Sequence, residues 1–107
     1  MSAIVFSSGF PRVIKMESGH LSLELSDQIF LDDVSEYASS FLDVLNGSVE
    51  ERHDSIVMCI WEVIINNKKF RIVYDDYPCG VSLESYSDDG DEEIVRLEEF
   101  LSSSHSS

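Results

Sequence analysis

Residues 55–85, SIVMCIWEVIINNKKFRIVYDDYPCGVSLES, decide the fold of this chain. The stretch begins with an almost unbroken apolar run, and two segments that alternate between apolar and polar residues follow it. Asn66-Asn67 separates the first two segments, and a Pro and a Gly lie before the third. These residues favour tight turns because they tolerate or fix the special backbone angles that turns need. The stretch therefore predicts a meander of three antiparallel strands, 55–65, 68–74 and 81–86.

A two-residue loop at Asn66-Asn67 fixes which side chains share a face of this meander. The opposite face then places Glu62 beside Arg71 as a cross-strand ion pair. The predicted inward residues are Val57, Cys59, Trp61, Val63, Phe70, Ile72, Tyr74, Val81 and Leu83. The predicted outward residues of the third strand are Ser82, Glu84 and Tyr86.

Upstream of the meander, residues 30–45 predict a helix because their apolar residues recur at helical spacing. Asp32 and Asp33 suit its N-cap and first turn, and Gly47 is expected as the C′ residue that ends it. Residues 48–54 predict a polar loop. The apolar stripe consists of Phe30, Leu31, Val34, Tyr37, Ala38, Phe41, Leu42 and Leu45.

Nearer the N-terminus, Ser18-Gly19 predicts a two-residue turn between strands 12–17 and 20–25. This loop length places Ile14 opposite Leu23 and Met16 opposite Leu21, so that these four residues share the inward face.

A second helix is predicted after the meander. It is expected to begin near Asp89, because Asp89 and Glu92 have the spacing of a capping box. Its apolar stripe is Ile94, Leu97, Phe100 and Leu101. The elements together predict an α+β fold, in which an antiparallel sheet (an N-terminal hairpin plus a C-terminal three-strand meander) has two helices packed on one face. The chain, 1–107, is expected to be a single domain with a flexible serine-rich tail at 102–107.

Charge is the strongest signal in the composition. The chain has 21 acidic and 7 basic residues, for a formal net charge of −14. Residues 75–99 hold ten of the acids and only Arg96 among the bases. Nucleic acid and anionic membrane surfaces are poor partners for such a chain, because phosphate would be repelled. A basic protein suits it, although acidity also serves solubility alone.

Localisation in the cytoplasm is expected. No apolar run approaches the ~20 residues that cross a membrane, and no basic residue precedes the short apolar patch at the N-terminus. The two cysteines, Cys59 and Cys79, form no CxxC motif and are expected as free thiols in a reducing compartment.

Catalytic and metal-binding patterns are weak. The run SDDGDEE does not keep the register of an EF-hand loop, since Tyr86 and Gly90 fall where ligands belong. Asp75 and Asp76 are adjacent on an extended chain, so their carboxylates point to opposite faces and cannot share a proton. The three histidines lie near no recognisable nucleophile motif, and there is no glycine-rich phosphate loop. We therefore expect no enzymatic activity, no cofactor, no metal and no small-molecule substrate.

Binding of a protein is the remaining function. Tyr77 and Tyr86 lie within or beside the acidic segment, and aromatic anchors with charge at the rim are typical of protein interfaces. The segment KKFRIVYDDYPCGVSLESYSDD, followed by an acidic helix, resembles a pattern in small acidic bacterial immunity proteins of contact-dependent growth inhibition and related polymorphic toxin systems. The resemblance covers roughly residues 55–101.

This resemblance implies a non-enzymatic cytoplasmic inhibitor that covers the active-site cleft of a cognate toxin C-terminal domain, such as an RNase-type nuclease. No site residue transfers by motif. The charge pattern nominates the toxin-binding residues Asp75, Asp76, Tyr77, Glu84, Tyr86, Asp88, Asp89, Asp91, Glu92 and Glu93. Two alternatives stay open: an acidic adaptor or chaperone whose charge serves solubility, and a hydrolase with an unrecognised carboxylate site.

Overall fold

A computed structural model describes residues 9–27, 29, 31–55, 58–76 and 79–106 of the chain. Within these residues the fold is α+β, with a six-stranded antiparallel sheet and two helices, as the sequence predicts. The strand order is β1-β2-β6-β5-β4-β3, so the N-terminal hairpin adds to the free edge of the C-terminal meander. The elements are β1 Arg12–Lys15, β2 Leu21–Ser26, α1 Leu31–Leu45, β3 Ser48–Asp54, β4 Met58–Ile65, β5 Lys68–Asp76, β6 Cys79–Ser85 and α2 Asp88–Ser106.

One face of the sheet is buried beneath both helices. Leu23, Leu83, Ile72 and Trp61 are paired in register across four neighbouring strands, and each is at most 2% exposed. The helices add their apolar stripes to the same core. The buried helical residues are Val34, Ala38, Phe41, Leu42, Ile94, Leu97 and Leu101. The other face of the sheet, called the open face below, carries no helix among the described residues.

The central hairpin of the meander is confirmed. Asn66 and Asn67 have φ angles of 53° and 64°, which is the conformation of a two-residue turn that matches strand twist. Glu62 is paired with Arg71 in register, as expected, but the predicted ion pair between them is not formed among the described residues. The Arg71 guanidinium, however, lies over the Tyr86 ring, 4.9 Å from its centroid, and Nε donates a hydrogen bond of 3.1 Å to the Tyr86 hydroxyl. Val57 lies outside the described residues.

The predicted register of the N-terminal hairpin is wrong by one residue. Val13, rather than Ile14, is paired with Leu23, and Ile14 is 40% exposed. The loop is longer than two residues: the Gly19 amide donates to the Met16 carbonyl, and Gly19 adopts a φ of 95°. A three-residue loop with glycine in a left-handed conformation is a common hairpin connection. Its extra residue moves each side chain of β1 to the opposite face.

Residues 48–54 form strand β3 rather than the expected polar loop. Each side chain of β3 is exposed, and the register shifts between Val49 and Glu51. This strand lies at the edge of the sheet and buries neither face, so it lacks the alternating pattern that identifies strands. The shifted register and the charged side chains protect such an edge from pairing with other chains.

Helix α1 ends at Leu45, the last residue of its predicted apolar stripe, but the C′ residue lies one position earlier than predicted. Asn46, not Gly47, is the C′ residue, with a φ of 56°. The Gly47 amide donates to the Leu42 carbonyl at 2.8 Å and the Asn46 amide to the Asp43 carbonyl at 3.3 Å, which together form a Schellman motif. Gly47 is needed for a different reason: a Cβ there would lie 2.8 Å from Cδ2 of Leu42.

Helix α2 begins at Asp88, beside the predicted start at Asp89, but its capping residue lies two positions before Asp89. Ser87 caps it, since its Oγ accepts a hydrogen bond of 3.1 Å from the Gly90 amide. The serine-rich segment that we expected to be a flexible tail continues the helix through Ser106, and Ser107 lies outside the described residues. Neither helix combines the length and the apolar character that crossing a membrane requires, within the part of the chain that the structure describes.

Candidate functional site

Negative charge is concentrated on the two helices. Helices α1 and α2, called the acidic helical layer below, hold eleven acidic residues and a single Lys or Arg residue, Arg96. The rest of the chain holds the other ten acids and six of the seven bases. The helical acids are Asp32, Asp33, Glu36, Asp43, Asp88, Asp89, Asp91, Glu92, Glu93, Glu98 and Glu99.

Acidic residues of the sheet, in contrast, lie beside bases. Arg12 Nε is 2.5 Å from Glu24 Oε1, and Arg52 is 2.9 Å from Asp54. Lys69 Nζ is 3.7 Å from Glu50. On the helices, Arg96 pairs with Glu92 and Glu93. Within the described residues no ion pair reaches Asp32, Asp33, Glu36, Asp43, Asp89, Glu98 or Glu99.

Two of the nominated residues line a cleft on the open face of the sheet. Asp75 in β5 and Glu84 in β6 share this cleft of about 380 Å³ with Arg12 and Glu24. Burial raises the pKa of Glu84, and the charge of nearby Arg71 offsets part of that rise. The bases around these carboxylates make the cleft a mixed surface rather than a purely acidic one.

The other nominated toxin-binding residues near the β5–β6 turn are Asp76, Tyr77 and Tyr86. Asp76 ends β5 and is paired with Cys79. Tyr86 follows β6 and is 37% exposed beside Arg71, so it remains accessible. Tyr77 lies outside the described residues.

Asp91 joins the N-terminal hairpin to helix α2. Its Oδ1 accepts a hydrogen bond of 2.9 Å from the Leu21 amide, and its Oδ2 lies 2.9 Å from His20 Nδ1. Burial acts to raise the pKa of Asp91, but hydrogen bonds from His20, Leu21 and Ser85 and the charge of His20 outweigh it and lower that pKa. Asp91 therefore holds the fold together, which differs from the toxin-contact role nominated for it.

Glu93 is also a structural residue, and its nomination as an exposed contact needs correction. It is 3% exposed, because helix α2 presents it to the turn between β4 and β5. Its carboxylate accepts hydrogen bonds from Asn66 Nδ2 at 2.6 Å and Arg96 at 2.8 Å, and Lys68 Nζ lies 3.7 Å away. The nominated residues that are exposed on α2 are Asp88, Asp89 and Glu92.

The nominated set therefore occupies two faces of the molecule. One group lies on or beside the open face of the sheet, and the other lies on α2 in the acidic helical layer. The carboxylates of α1 belong with the second group, although the sequence indicates Asp32 and Asp33 only as residues of the helix N-terminus. The sequence does indicate that α1 is acidic, since no Lys or Arg occurs between Lys15 and Arg52.

Two groups of side chains have the chemistry of ligands for a divalent cation. His20 with Asp88 and Asp91, and His53 with Glu51 and Glu62, each bring their ligand atoms within 4.8 Å of one another. Hydrogen bonds and ion pairs bring His20 to Asp91, and His53 to Glu51 and Glu62, without a metal. His20 is engaged by Asp91, and His53 Nε2 lies 3.0 Å from Glu51.

Three further groups have shifted pKa values. Burial is the main cause for two of them. Burial raises the pKa of Tyr37 to about 12, and the Tyr37 hydroxyl has no hydrogen-bond partner within the described residues. It raises the pKa of the Cys59 thiol, with help from the neighbouring Asp54 charge. Burial opposes ionisation of Asp54, yet Arg52 and hydrogen bonds from Cys59 and Trp61 lower its pKa overall. Cys59 is a free, buried cysteine, as expected.

These observations define a small α+β domain whose helix-covered side is strongly acidic and whose open sheet face is mixed in charge. Residues 12–105 match the model of a family described as Protein of unknown function (DUF3630), and the chain belongs to this family. No curated protein and no solved structure matches the chain.

Proposed function

We propose that the protein is a non-enzymatic immunity protein that binds a basic toxin domain and neutralises it through the acidic helical layer. The observation that carries the proposal is the segregation of charge, with eleven acids and one base other than histidine on α1 and α2. The resemblance of residues 55–101 to small acidic immunity proteins supports the same function.

Segregation distinguishes a binding surface from acidity that only keeps a protein soluble. Solubility depends on net charge and is served by carboxylates at any exposed position. Here bases accompany the acids of the sheet and are nearly absent from the helices. Such an arrangement produces a one-sided negative potential, which orients an approaching cationic partner and can raise association rates to about 10⁸–10⁹ M⁻¹s⁻¹ at low salt.

A nuclease of the RNase type fits such a surface. Its active-site cleft must receive a phosphate backbone and is therefore lined by Lys and Arg side chains. Exposed carboxylates such as Asp89, Glu92 and Glu99 would occupy the positions of phosphates in that cleft. The inhibitor would then exclude the substrate without any chemistry of its own. The proposal places the protein in the cytoplasm, where an RNase-type toxin meets its substrate.

Co-expression with the toxin tests this function. The candidate toxin is the C-terminal domain of the large secreted protein that an adjacent gene is expected to encode. Cells that produce this domain should stop growing, and co-expression of the chain should restore growth. If growth is not restored although both proteins are produced and folded, the proposed function is wrong.

A further inference from the structure

A groove lies between the end of α1 and the middle of α2. It has a volume of about 670 Å³, within the range typical of ligand-binding pockets. Its apolar lining comes from Val44, Leu45, Leu97 and Phe100. The groove therefore lies within the acidic helical layer and is distinct from the cleft on the open face of the sheet.

Phe100 makes this groove unusual. It was expected to be buried with the rest of the α2 stripe, but it is 51% exposed, the largest value among the described large hydrophobic residues. Leu97, one turn earlier on the same helix, is only 4% exposed. An aromatic side chain exposed at the mouth of an apolar groove is typical of a protein-binding site.

The floor of the groove is fixed by hydrogen bonds. The buried Glu93 carboxylate accepts from Asn66 of the β4–β5 turn and from Arg96 of its own helix. These contacts hold α2 against the turn, so the groove exists before any partner arrives. A preformed groove lowers the ordering cost of binding.

The rim of the groove is negative. Glu99 lines the groove and is exposed, and the last turn of α1 contains no basic residue to offset the negative end of its helix dipole. Arg96 also lines the groove, but its charge is already engaged by Glu92 and Glu93. Charge complementarity therefore favours an apolar side chain that has cationic neighbours.

We infer that this groove receives an apolar side chain carried by a Lys- and Arg-rich segment of the partner protein. The inference rests on the proposed function for the identity of that partner, and it adds an anchor point to an otherwise electrostatic interface. The carboxylates accelerate encounter, whereas contact with Phe100 slows dissociation.

Two synthetic peptides test the groove directly. One is a 14-residue amphipathic peptide of Lys and Leu, and the other has Ser in place of each Leu and the same charge. Each is titrated at one salt concentration into the full chain and into Phe100→Ala, with binding followed by NMR of the backbone amides. Val95→Ala is the matched control, because Val95 is 43% exposed on the same helix and does not line the groove.

The Lys/Leu peptide should bind the unmodified chain about tenfold more tightly than the Lys/Ser peptide, because it buries at least one Leu side chain. It should shift the amide signals of Val44, Leu45 and Phe100. Phe100→Ala should remove most of the tenfold preference, and Val95→Ala should retain it.

Equal affinities for the two peptides, or equal losses in the two variants, would overturn the inference. So would a dimer in sedimentation that Phe100→Ala converts to a monomer, since a second copy would then fill the groove. If the chain fails to restore growth but still prefers the Lys/Leu peptide, the proposed toxin-binding function is wrong and the inference about the groove is retained. If the chain restores growth but binds the two peptides equally, the inference about the groove is wrong and the proposed function is retained.

Discussion

His20 Nδ1 lies 2.9 Å from Asp91 Oδ2, although the two residues are 71 positions apart in the chain. The same carboxylate accepts a hydrogen bond from the Leu21 amide at the start of β2. One side chain of α2 therefore fixes the N-terminal hairpin at the edge of the sheet. Because the sheet supports the helical layer, this contact also contributes to the position of α2.

Asp91→Asn should lower the free energy of unfolding by about 1–3 kcal/mol at pH 7, because hydrogen bonds to a charged acceptor are lost. The folded-state pKa of Asp91 is lowered from that of the unfolded chain. Its contribution is therefore present above the unfolded-state pKa of about 3.9 and is lost as the pH falls through the folded-state pKa. Urea unfolding of both chains between pH 7 and pH 2.5 measures the difference.

Asp89→Asn is the control for this prediction, because Asp89 is an exposed acid of the same first turn. It should change the free energy of unfolding by less than about 1 kcal/mol, through the helix dipole alone. An Asp91→Asn effect that stayed constant down to pH 2.5 would show that the carboxylate charge is not what holds the hairpin.

Gly47→Ala should destabilise the fold by about 1–3 kcal/mol through overpacking. The added Cβ would lie 2.8 Å from Leu42 Cδ2 and 3.0 Å from Ile65 Cγ1. Asn46→Gly, at the true C′ position, should change the free energy of unfolding by less than about 0.5 kcal/mol. Thermal unfolding of the two variants distinguishes them, and a reversed order would mean that Leu42 and Ile65 can move to accommodate a methyl group at residue 47.

Tyr37→Phe should raise the free energy of unfolding by about 1 kcal/mol. The Tyr37 hydroxyl is buried without a partner within the described residues, so its removal relieves a desolvation cost. Tyr86→Phe removes an exposed hydroxyl that accepts from Arg71 and should have an effect below about 0.5 kcal/mol. Denaturant unfolding measures both, and a less stable Tyr37→Phe variant would indicate that the hydroxyl has a partner.

The sequence predicts the central meander and both helices well because their patterns arise from burial on one side. Trp61 and Ile72 alternate with outward residues, and Asn66-Asn67 adopts the turn its residue types favour. Strand β3 could not be found in this way, since an edge strand with both faces exposed has no periodic pattern. The hairpin register was missed because it depends on a single loop residue, and Ser18-Gly19 suits more than one loop length.

The candidate surface was only partly predictable. Counting charge along the chain identified the acids of α2, but it grouped them with Asp75 and Glu84, which lie on the open face of the sheet. The acids of α1 are distant in sequence and join the surface only because both helices cover one face. The burial of Glu93 follows from a contact with Asn66 that no local pattern reveals.

The association rate with the basic toxin domain, measured against salt for two charge-matched variants, shows whether the acidic helical layer is the surface that binds. One variant neutralises the helical layer with Asp32→Asn, Glu36→Gln, Asp89→Asn and Glu99→Gln. The other neutralises the sheet with Glu51→Gln, Glu62→Gln, Asp75→Asn and Glu84→Gln. Each changes the formal net charge from −14 to −10.

The helical variant should associate about tenfold more slowly at low salt and depend less on salt than the unmodified chain, because it removes the charge that faces the partner. The association rate of the sheet variant should fall by less than about threefold, because only the net charge of the protein has changed and not the charge that faces the partner. If both variants slow association equally, net charge governs binding, and the acidic helical layer is not the surface that meets the toxin.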